Sequence, residues 1–419
     1  MVTSIEGRRL RNDFLLLWIG QGLAAIGTQI TTLALPLTAI LVLHAQANAV
    51  GILNALQWLP FLLLSLIVGV AVDRRRRRPL MILADGARAL ILGGIVVLAE
   101  THHLSLPVLW PLVFLFGCGA VVFELAYYAY VPGLVGLQEL MGANTRLQAT
   151  TTGAQLGGPA VAGVLVQILT APLALMLNAL SFLVSVVTVA AIRTPEGQPD
   201  APATRPLVEL RDGLQLVFSN RLLRSLVAVS ASYNVFNEWI LTLYLVYAVR
   251  YLHLSPALIG LTLSGATIGA FFGAMLAQTV SKRFGLGVSF LGAVIIECIS
   301  ALIVPLTPPG TPITIPLLVL AFGLMDFGAS LSGVVALSVR QTITPNHLLG
   351  RMTASYRTVS YGTIPLGAAV GGWVGQWLGL RLGLAIGAAA LLTTIVWAIL
   401  SPVVRLGQID DLQTTELSI

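Results

Sequence analysis

The chain is poor in charge. Only 10% of its 419 residues are Asp, Glu, Lys or Arg, whereas 57% are hydrophobic and the mean hydropathy is +0.91. A water-soluble domain carries about a quarter charged residues, so this chain lacks the side chains to cover a solvent-facing surface. Lysine is nearly missing: Lys282 is the one lysine, and the formal net charge of +6 comes from arginine. Its two cysteines, Cys118 and Cys298, lie in apolar runs, which excludes a disulfide framework or zinc spacing and leaves small packing residues. The patterns G-x-x-x-x-G-K-[ST], H-E-x-x-H and G-x-S-x-G do not occur. Nucleotide hydrolysis by that route, zincin chemistry and nucleophile-elbow chemistry are therefore not expected. Gly117-Cys118-Gly119 follows no strand and is no dinucleotide fingerprint. No cofactor and no metal are expected, and the chain reads as no enzyme.

What is present is long apolar sequence. A membrane helix needs about 20 mostly apolar residues. Twelve such stretches run approximately 14–43, 50–72, 79–99, 108–135, 147–169, 171–192, 222–250, 256–280, 286–306, 312–340, 351–379 and 381–404. The opening MVTSIEGRRLRNDF has no cleavage pattern and the apolar run after it outlasts a signal core, so it is read as the first span. With the N-terminus inside, 20 of the 23 Lys and Arg fall on the inner side, and only Arg250 and Arg381 fall outside, with Arg88 inside span 3. This bias predicts twelve spans with both termini cytoplasmic. It also places the run Arg74 to Arg78 in the inner loop between spans 2 and 3, against lipid headgroups rather than nucleic acid.

The two halves repeat at a nearly fixed offset. Asn12-Asp13-Phe14 aligns with Asn220-Arg221-Leu222, Asp73-Arg74-Arg75 with Ser281-Lys282-Arg283, and Gly142 with Gly350. The expected organisation is an all-α integral membrane protein of two pseudo-symmetric six-helix halves, 1–193 and 221–404, with a linker over 194–220 and a tail over 405–419. Such duplicated bundles place a transport site between the halves, near the midplane. Within the linker, Leu207, Leu210, Leu214 and Val217 lie at helical spacing among charges, predicting an amphipathic helix on the inner face.

Charge at bilayer depth is costly and marks function by default. Glu124, Glu238, Glu297 and Asp326 fall near the middle of spans 4, 7, 9 and 10. Tyr127 and Tyr128 share the Glu124 face, Asn234 and Trp239 accompany Glu238, Ser330 follows Asp326, and Gln21, Thr28 and Thr32 share a face of span 1. Glu124, Glu238 and Asp326 are the candidate proton carriers, with Glu297 ranked behind them; the polar and aromatic neighbours are candidate substrate contacts. Asp85 and Arg88 are spaced to pair and are read as structural or gate partners of the arginine loop. His102 and His103 are read as an exposed outer-loop pair, and Arg357, near Tyr356 and Tyr361, as a snorkelling residue.

At Gly69, Asp73, Arg74, Arg77, Arg78 and Pro79 the sequence resembles the major facilitator superfamily, whose G-x-x-x-D-R-x-x-R-R-P loop joins spans 2 and 3. The resemblance implies close helix approach at the glycine, an aspartate meeting the start of span 11, and arginines in an inner gate; Arg76 stands where the family usually has glycine. Gly153, Gly157, Gly158, Pro159 and Gly163 in span 5 resemble the glycine-proline motif of antiporter-type members, with Ala162 in place of a second terminal glycine. The stretch from Pro132 to Ser185 looks most like the branch of enterobactin and macrolide exporters. That likeness implies spans 1, 4, 7 and 10 around a central cavity. It also implies export of an amphipathic small molecule, drug or siderophore-like, by proton antiport. Span 4 lacks the arginine common in proton-coupled exporters. The expected protein is a monomer in the bacterial inner membrane, with substrate, protons and lipid as partners. Alternatives are a lipid or lysolipid translocase of the same fold, a non-transporting sensor and an intramembrane enzyme.

Overall fold

The structure, a computed structural model, describes residues 2–136, 139–196, 206–345 and 348–407, excluding the side chains of residues 2–11, Leu66, Asp73 and 206–210. These residues form helices and short connections, with no strand among them. In chain order the helices are α1 (Val2–Leu41), α2 (Ala47–Asp73), α3 (Arg77–Glu100), α4 (Leu106–Val135), α5 (Leu140–Leu169), α6 (Ala171–Ala191), α7 (Pro206–Ser219) and α8 (Arg221–Arg250). They continue as α9 (Pro256–Phe284), α10 (Leu286–Ala301), α11 (Ile303–Leu306), α12 (Thr314–Ile343), α13 (Leu349–Gly362), α14 (Ile364–Leu378), α15 (Leu380–Leu391) and α16 (Thr393–Leu400).

Ten helical stretches are long and apolar enough to cross a membrane. Helix α8 and the α13–α14 pair fall short of that measure; both carry polar side chains that bond to side chains and carbonyls across their interface. Asn234 on α8 donates to the Ser360 carbonyl and hydroxyl, both at 2.9 Å, and Tyr356 on α13 donates to the Leu226 carbonyl at 3.0 Å. The Thr363 hydroxyl, at the α13–α14 break, donates to the Ala231 carbonyl at 3.2 Å. The break falls two residues before Pro365, whose missing N–H cannot continue a helical ladder.

Two compact units emerge. One comprises Met1–Ala45 and Leu56–Thr204, the other Gln46–Ala55 and Arg205–Ile419. In the first, α6 packs on α1 and α3, and α3 on α4. In the second, α9 packs on α12 through three glycines one turn apart. A Cβ on Gly265, Gly269 or Gly273 would run into the carbonyls of Val319, Gly323 and Phe327, so the backbones touch directly. On α14, Gly367 meets the Val235 carbonyl of α8 in the same way, while Gly371 and Gly375 make room for the Trp239 and Leu243 side chains of that helix. The start of α2 groups with this second unit: Asn54 donates to Thr242 at 3.0 Å.

Helix α7 forms where an amphipathic helix is expected. Val217 is buried and Arg211, Asp212 and Gln215 are exposed, while Leu207 and Leu210 lie outside the described side chains. It packs on α13, where Gly213 meets the Arg351 carbonyl and Asp212 lies 3.8 Å from the Arg351 guanidinium.

Candidate functional site

In the N-terminal unit the buried polar centre is built on α3. Asp85 and Arg88, one turn apart, pair at 3.0 Å and are 1% and 7% exposed. The guanidinium lies over the Phe182 ring at 3.9 Å and beside Phe116 and Phe123 at 5.0 and 6.0 Å. Gly119 on α4 lets it in, since a Cβ there would stand 2.8 Å from Arg88 Cγ. Of the two readings of this pair, structural or gate partner of the arginine loop, the geometry matches the first: it lies in the α3–α4–α6 interior, where Asp85 and the aromatic faces offset the cost of burying the cation. Glu124, half-buried on α4, acts electrostatically on the same guanidinium. Span 4 lacks an arginine of its own, yet α3 brings one to it.

The neighbours of Glu124 divide. Tyr127 is half-buried and stacks on Phe123 at 6.0 Å, whereas Tyr128 is 60% exposed. Gln21 donates to Ser185 at 3.2 Å, tying α1 to α6. Thr28 and Thr32 are exposed and donate to carbonyls of their own helix at 2.8 and 3.0 Å.

In the C-terminal unit three acidic side chains meet hydroxyls. Asp326 on α12 accepts from the Tyr233 hydroxyl at 3.3 Å, Glu297 on α10 from Ser332 at 3.4 Å, and Glu238 on α8 from Thr242 at 3.5 Å. Asp326 and Glu238 are half-buried, while Glu297 is 2% exposed. Tyr233 and Glu297 are the residues that sequence reasoning missed or ranked low. Span 9 is an outer span in the resembled fold, but its glutamate points inward because Gly328 leaves room for it: a Cβ on that glycine would stand 2.8 Å from Glu297 Cβ. Two of the expected substrate contacts have partners within the unit. Asn234 is committed to Ser360, and Trp239, 7% exposed, lies between Gly371 and Gly387 with its indole N–H on the Gly383 carbonyl at 3.1 Å.

At the inner loop, Arg74, Arg75 and Arg76 are exposed, and the Asp73 side chain lies outside the described residues. Helix α3 starts at Arg77 without a side-chain cap from the residue before it. Its free amides are taken by Glu196, which accepts from the Arg77 N–H and, at 3.1 Å, from the Arg78 N–H. The Arg78 guanidinium in turn donates to the Val189 carbonyl at 3.0 Å and the Ala190 carbonyl at 2.5 Å, at the end of α6. Cations are favoured at a helix C-terminus. Among the described residues, Gly69 has no atom within 4 Å of where a Cβ would stand. The same holds for Gly153 and Gly157; of the span-5 set, Gly158 makes the close contact, with Gln29, and Pro159 and Gly163 lie within an unbroken α5. Tyr356 is buried under Arg340 at 3.7 Å, and Arg357 lies 5.4 Å from the Tyr361 ring. His102 and His103 are exposed at the α3–α4 turn.

Known proteins supply the context for this geometry. Residues 9–417 match the family model described as "Transmembrane secretion effector". The multidrug efflux pump Tap of Mycolicibacterium fortuitum is 26% identical over 86% of this chain and 89% of its own length. Tap of Mycobacterium tuberculosis (strain ATCC 25618 / H37Rv) is 24% identical over 84% of each chain, and macrolide efflux protein A of Streptococcus pyogenes is 24% identical over 63% of this chain and 65% of its own. Among solved structures, the nucleoside transporter NupG superposes with a TM-score of 0.74 at 12% identity, covering 93% of this chain and 98% of that one. A bacterial homologue of the iron transporter ferroportin in its inward-facing state gives 0.73 at 15% identity, over 93% and 98%. These two carry the fold alone. With the family match spanning nearly the whole chain, and with ten membrane-length helices in two compact units, the protein belongs to the transmembrane secretion effector family and is a multi-pass membrane transporter of the efflux branch of the major facilitator superfamily, not an enzyme.

Proposed function

We infer that this chain exports amphipathic small molecules from the bacterial cytoplasm across the inner membrane by alternating access, exchanging them for protons. The observation that carries the reading is the likeness to efflux pumps over 86% of the chain. The C-terminal unit supports proton exchange in particular, because its acidic side chains at membrane depth meet hydroxyls. Asp326 and Glu238, half-buried, are the proton carriers, and Glu124 beside Arg88 is the corresponding acid of the first unit. In this reading α8 and α13–α14 complete a set of twelve spans, with both termini cytoplasmic. Their polar side chains bond to side chains and backbone carbonyls across one helix interface, which reconciles low hydropathy with a place in the bilayer. The Gly69–Arg78 loop, with its arginines on the inner side, forms part of the inner gate.

The test is efflux of cationic dyes, macrolides and a catechol siderophore from bacteria expressing the chain, with and without a protonophore. Protonophore-sensitive loss of any of these compounds is expected. Undiminished efflux under the protonophore would remove proton exchange. No efflux of any compound, with lysolipid transport in proteoliposomes, would replace drug export by lipid translocation.

A further inference from the structure

Two cavities in the first unit share Pro195 and Glu196 as a wall, beside the start of α3. The smaller, of about 240 Å³, is also lined by Arg77, Tyr130, Gly133, Leu134 and Thr194. Several of its polar groups are already bound. Both Glu196 oxygens accept from the first amides of α3, and the Thr194 N–H and hydroxyl are both held by Asp13. Two donors are left over. The Arg77 Nε and the Tyr130 hydroxyl are buried and have no hydrogen-bond partner among the described residues. Tyr130 as a whole is 5% exposed. A buried donor left unpaired is destabilising, so two of them on one cavity point to a ligand that accepts. Gly133, one turn on from Tyr130, has no described atom within 4 Å of where a Cβ would stand, which leaves the approach open. The larger cavity, of about 530 Å³, adds Arg76, Arg78 and the apolar Pro79, Ile82 and Leu83. From Leu83 an apolar stripe runs along α3: Leu83, Leu90 and Val97, two turns apart, are 69%, 77% and 57% exposed.

We propose that these cavities form a binding site for one inner-leaflet phospholipid of net negative charge, whose phosphate accepts from the Arg77 Nε–H and the Tyr130 hydroxyl. The donors fix the chemistry. An arginine Nε–H only donates and a phenol can donate, so their common complement is an anionic oxygen. Charge agrees. Three guanidinium groups, of Arg76, Arg77 and Arg78, and one carboxylate, of Glu196, line the two cavities. With Asp13 behind Thr194 added, the surroundings are still positive. The apolar lining fixes the source. A free phosphate has no use for Ile82 and Leu83, whereas a lipid lays its glycerol and one chain over them and along the Leu83–Leu90–Val97 stripe. Such a site differs from the general attraction of a basic loop for an anionic surface. Arg74 and Arg75 are exposed and can serve that attraction; Tyr130 carries no charge and cannot. The site does not depend on the transport reading above.

The test is titration of the purified full-length protein, in neutral detergent, with phosphatidylglycerol, the adducts being counted by native mass spectrometry. Wild type should hold one lipid more tightly than any further ones. Tyr130→Phe removes a single hydroxyl and should weaken that lipid by about tenfold, with no fall in melting temperature. Arg77→Ala should weaken it at least as much. Arg75→Ala, at an exposed position outside both cavities, should cost about threefold at most at about 0.15 M salt, where exposed charges are screened. Wild-type affinity in Tyr130→Phe overturns the proposal, and this variant decides alone if Arg77→Ala does not purify. Equal losses in Arg75→Ala and Arg77→Ala would reduce the effect to surface attraction and overturn it too. Phosphatidylcholine held as tightly as phosphatidylglycerol would refute the preference for net negative charge. Displacement of the lipid by millimolar inorganic phosphate would assign the cavity to a free anion and refute the lipid.

Discussion

The two units bury acids in opposite company. In the first, Asp85 is matched by Arg88, and Asp13 accepts from the Arg193 N–H at 3.2 Å, the Thr194 N–H at 2.8 Å and the Thr194 hydroxyl at 2.6 Å. The guanidinium and the two backbone amides among these partners can only donate, which favours the charged carboxylate. In the second, Glu238, Glu297 and Asp326 each meet a hydroxyl, which serves both states. The first unit thus surrounds Asp85 and Asp13 with a cation and amides, whereas the proton exchange proposed above falls to Glu238 and Asp326, with Glu124 as the first unit's own exchangeable acid. The inner loops differ in the same manner. The amides opening α3 are taken by the Glu196 carboxylate, whereas those opening α10, Leu286 and Gly287, bond to the Gly407 and Leu406 carbonyls at 2.9 Å each. Gly285, with φ at 83°, turns the chain into that second arrangement. The repeat preserves the need to satisfy free amides, not the group that meets it.

The sharpest way to break this comparison is Arg88→Ala, which strands Asp85 in the interior. It should cost about 3–5 kcal/mol, read as a fall in melting temperature of the purified protein, with most of it regained by Asp85→Asn combined with Arg88→Met. A variant that melts like wild type would end the claim that this charge is fixed. Asp326→Asn should do the reverse, cutting protonophore-sensitive efflux by at least about tenfold, or about 1.4 kcal/mol, with melting unchanged. Next comes packing. Gly269→Val forces α9 off α12 and should cost about 1–3 kcal/mol, whereas Gly157→Ala, with nothing in its way, should stay within about 0.5 kcal/mol. Glu196→Ala removes the carboxylate cap of α3 and should cost about 1 kcal/mol, a change thermal unfolding can resolve against an Arg76→Ala control.

Hydropathy and arginine placement made the all-helical membrane fold legible, because the bilayer requires long apolar helices whatever the tertiary contacts. The Gly69–Arg78 and span-5 resemblances pointed to the family. Side-chain direction was not legible. Asn234 and Trp239 read as cavity lining because polarity in a span marks function, yet one ties α8 to α13 and the other fills a glycine-lined gap. Glu297 was ranked low for the opposite reason: its span is peripheral, and nothing in one sequence tells that Gly328 opens a path inward. The Gly265–Gly269–Gly273 stripe was readable in principle, being small residues one turn apart. The more conspicuous glycines of α5 drew attention instead, and at Gly153 and Gly157 no atom of the described residues lies within 4 Å of where a Cβ would stand.

Glu196 also bears on how the chain can be divided. It caps α3, and Thr194 just before it holds Asp13, so both belong to the first unit although they lie beyond α6. Helix α7, resting on α13, belongs to the second. Fragments for co-expression cut between Glu196 and Pro206 would each leave the ribosome with their own helix ends satisfied. Fragments cut at residue 193, where the apolar sequence stops, would deliver a first half with the start of α3 uncapped and the Asp13 carboxylate short of its Thr194 donors.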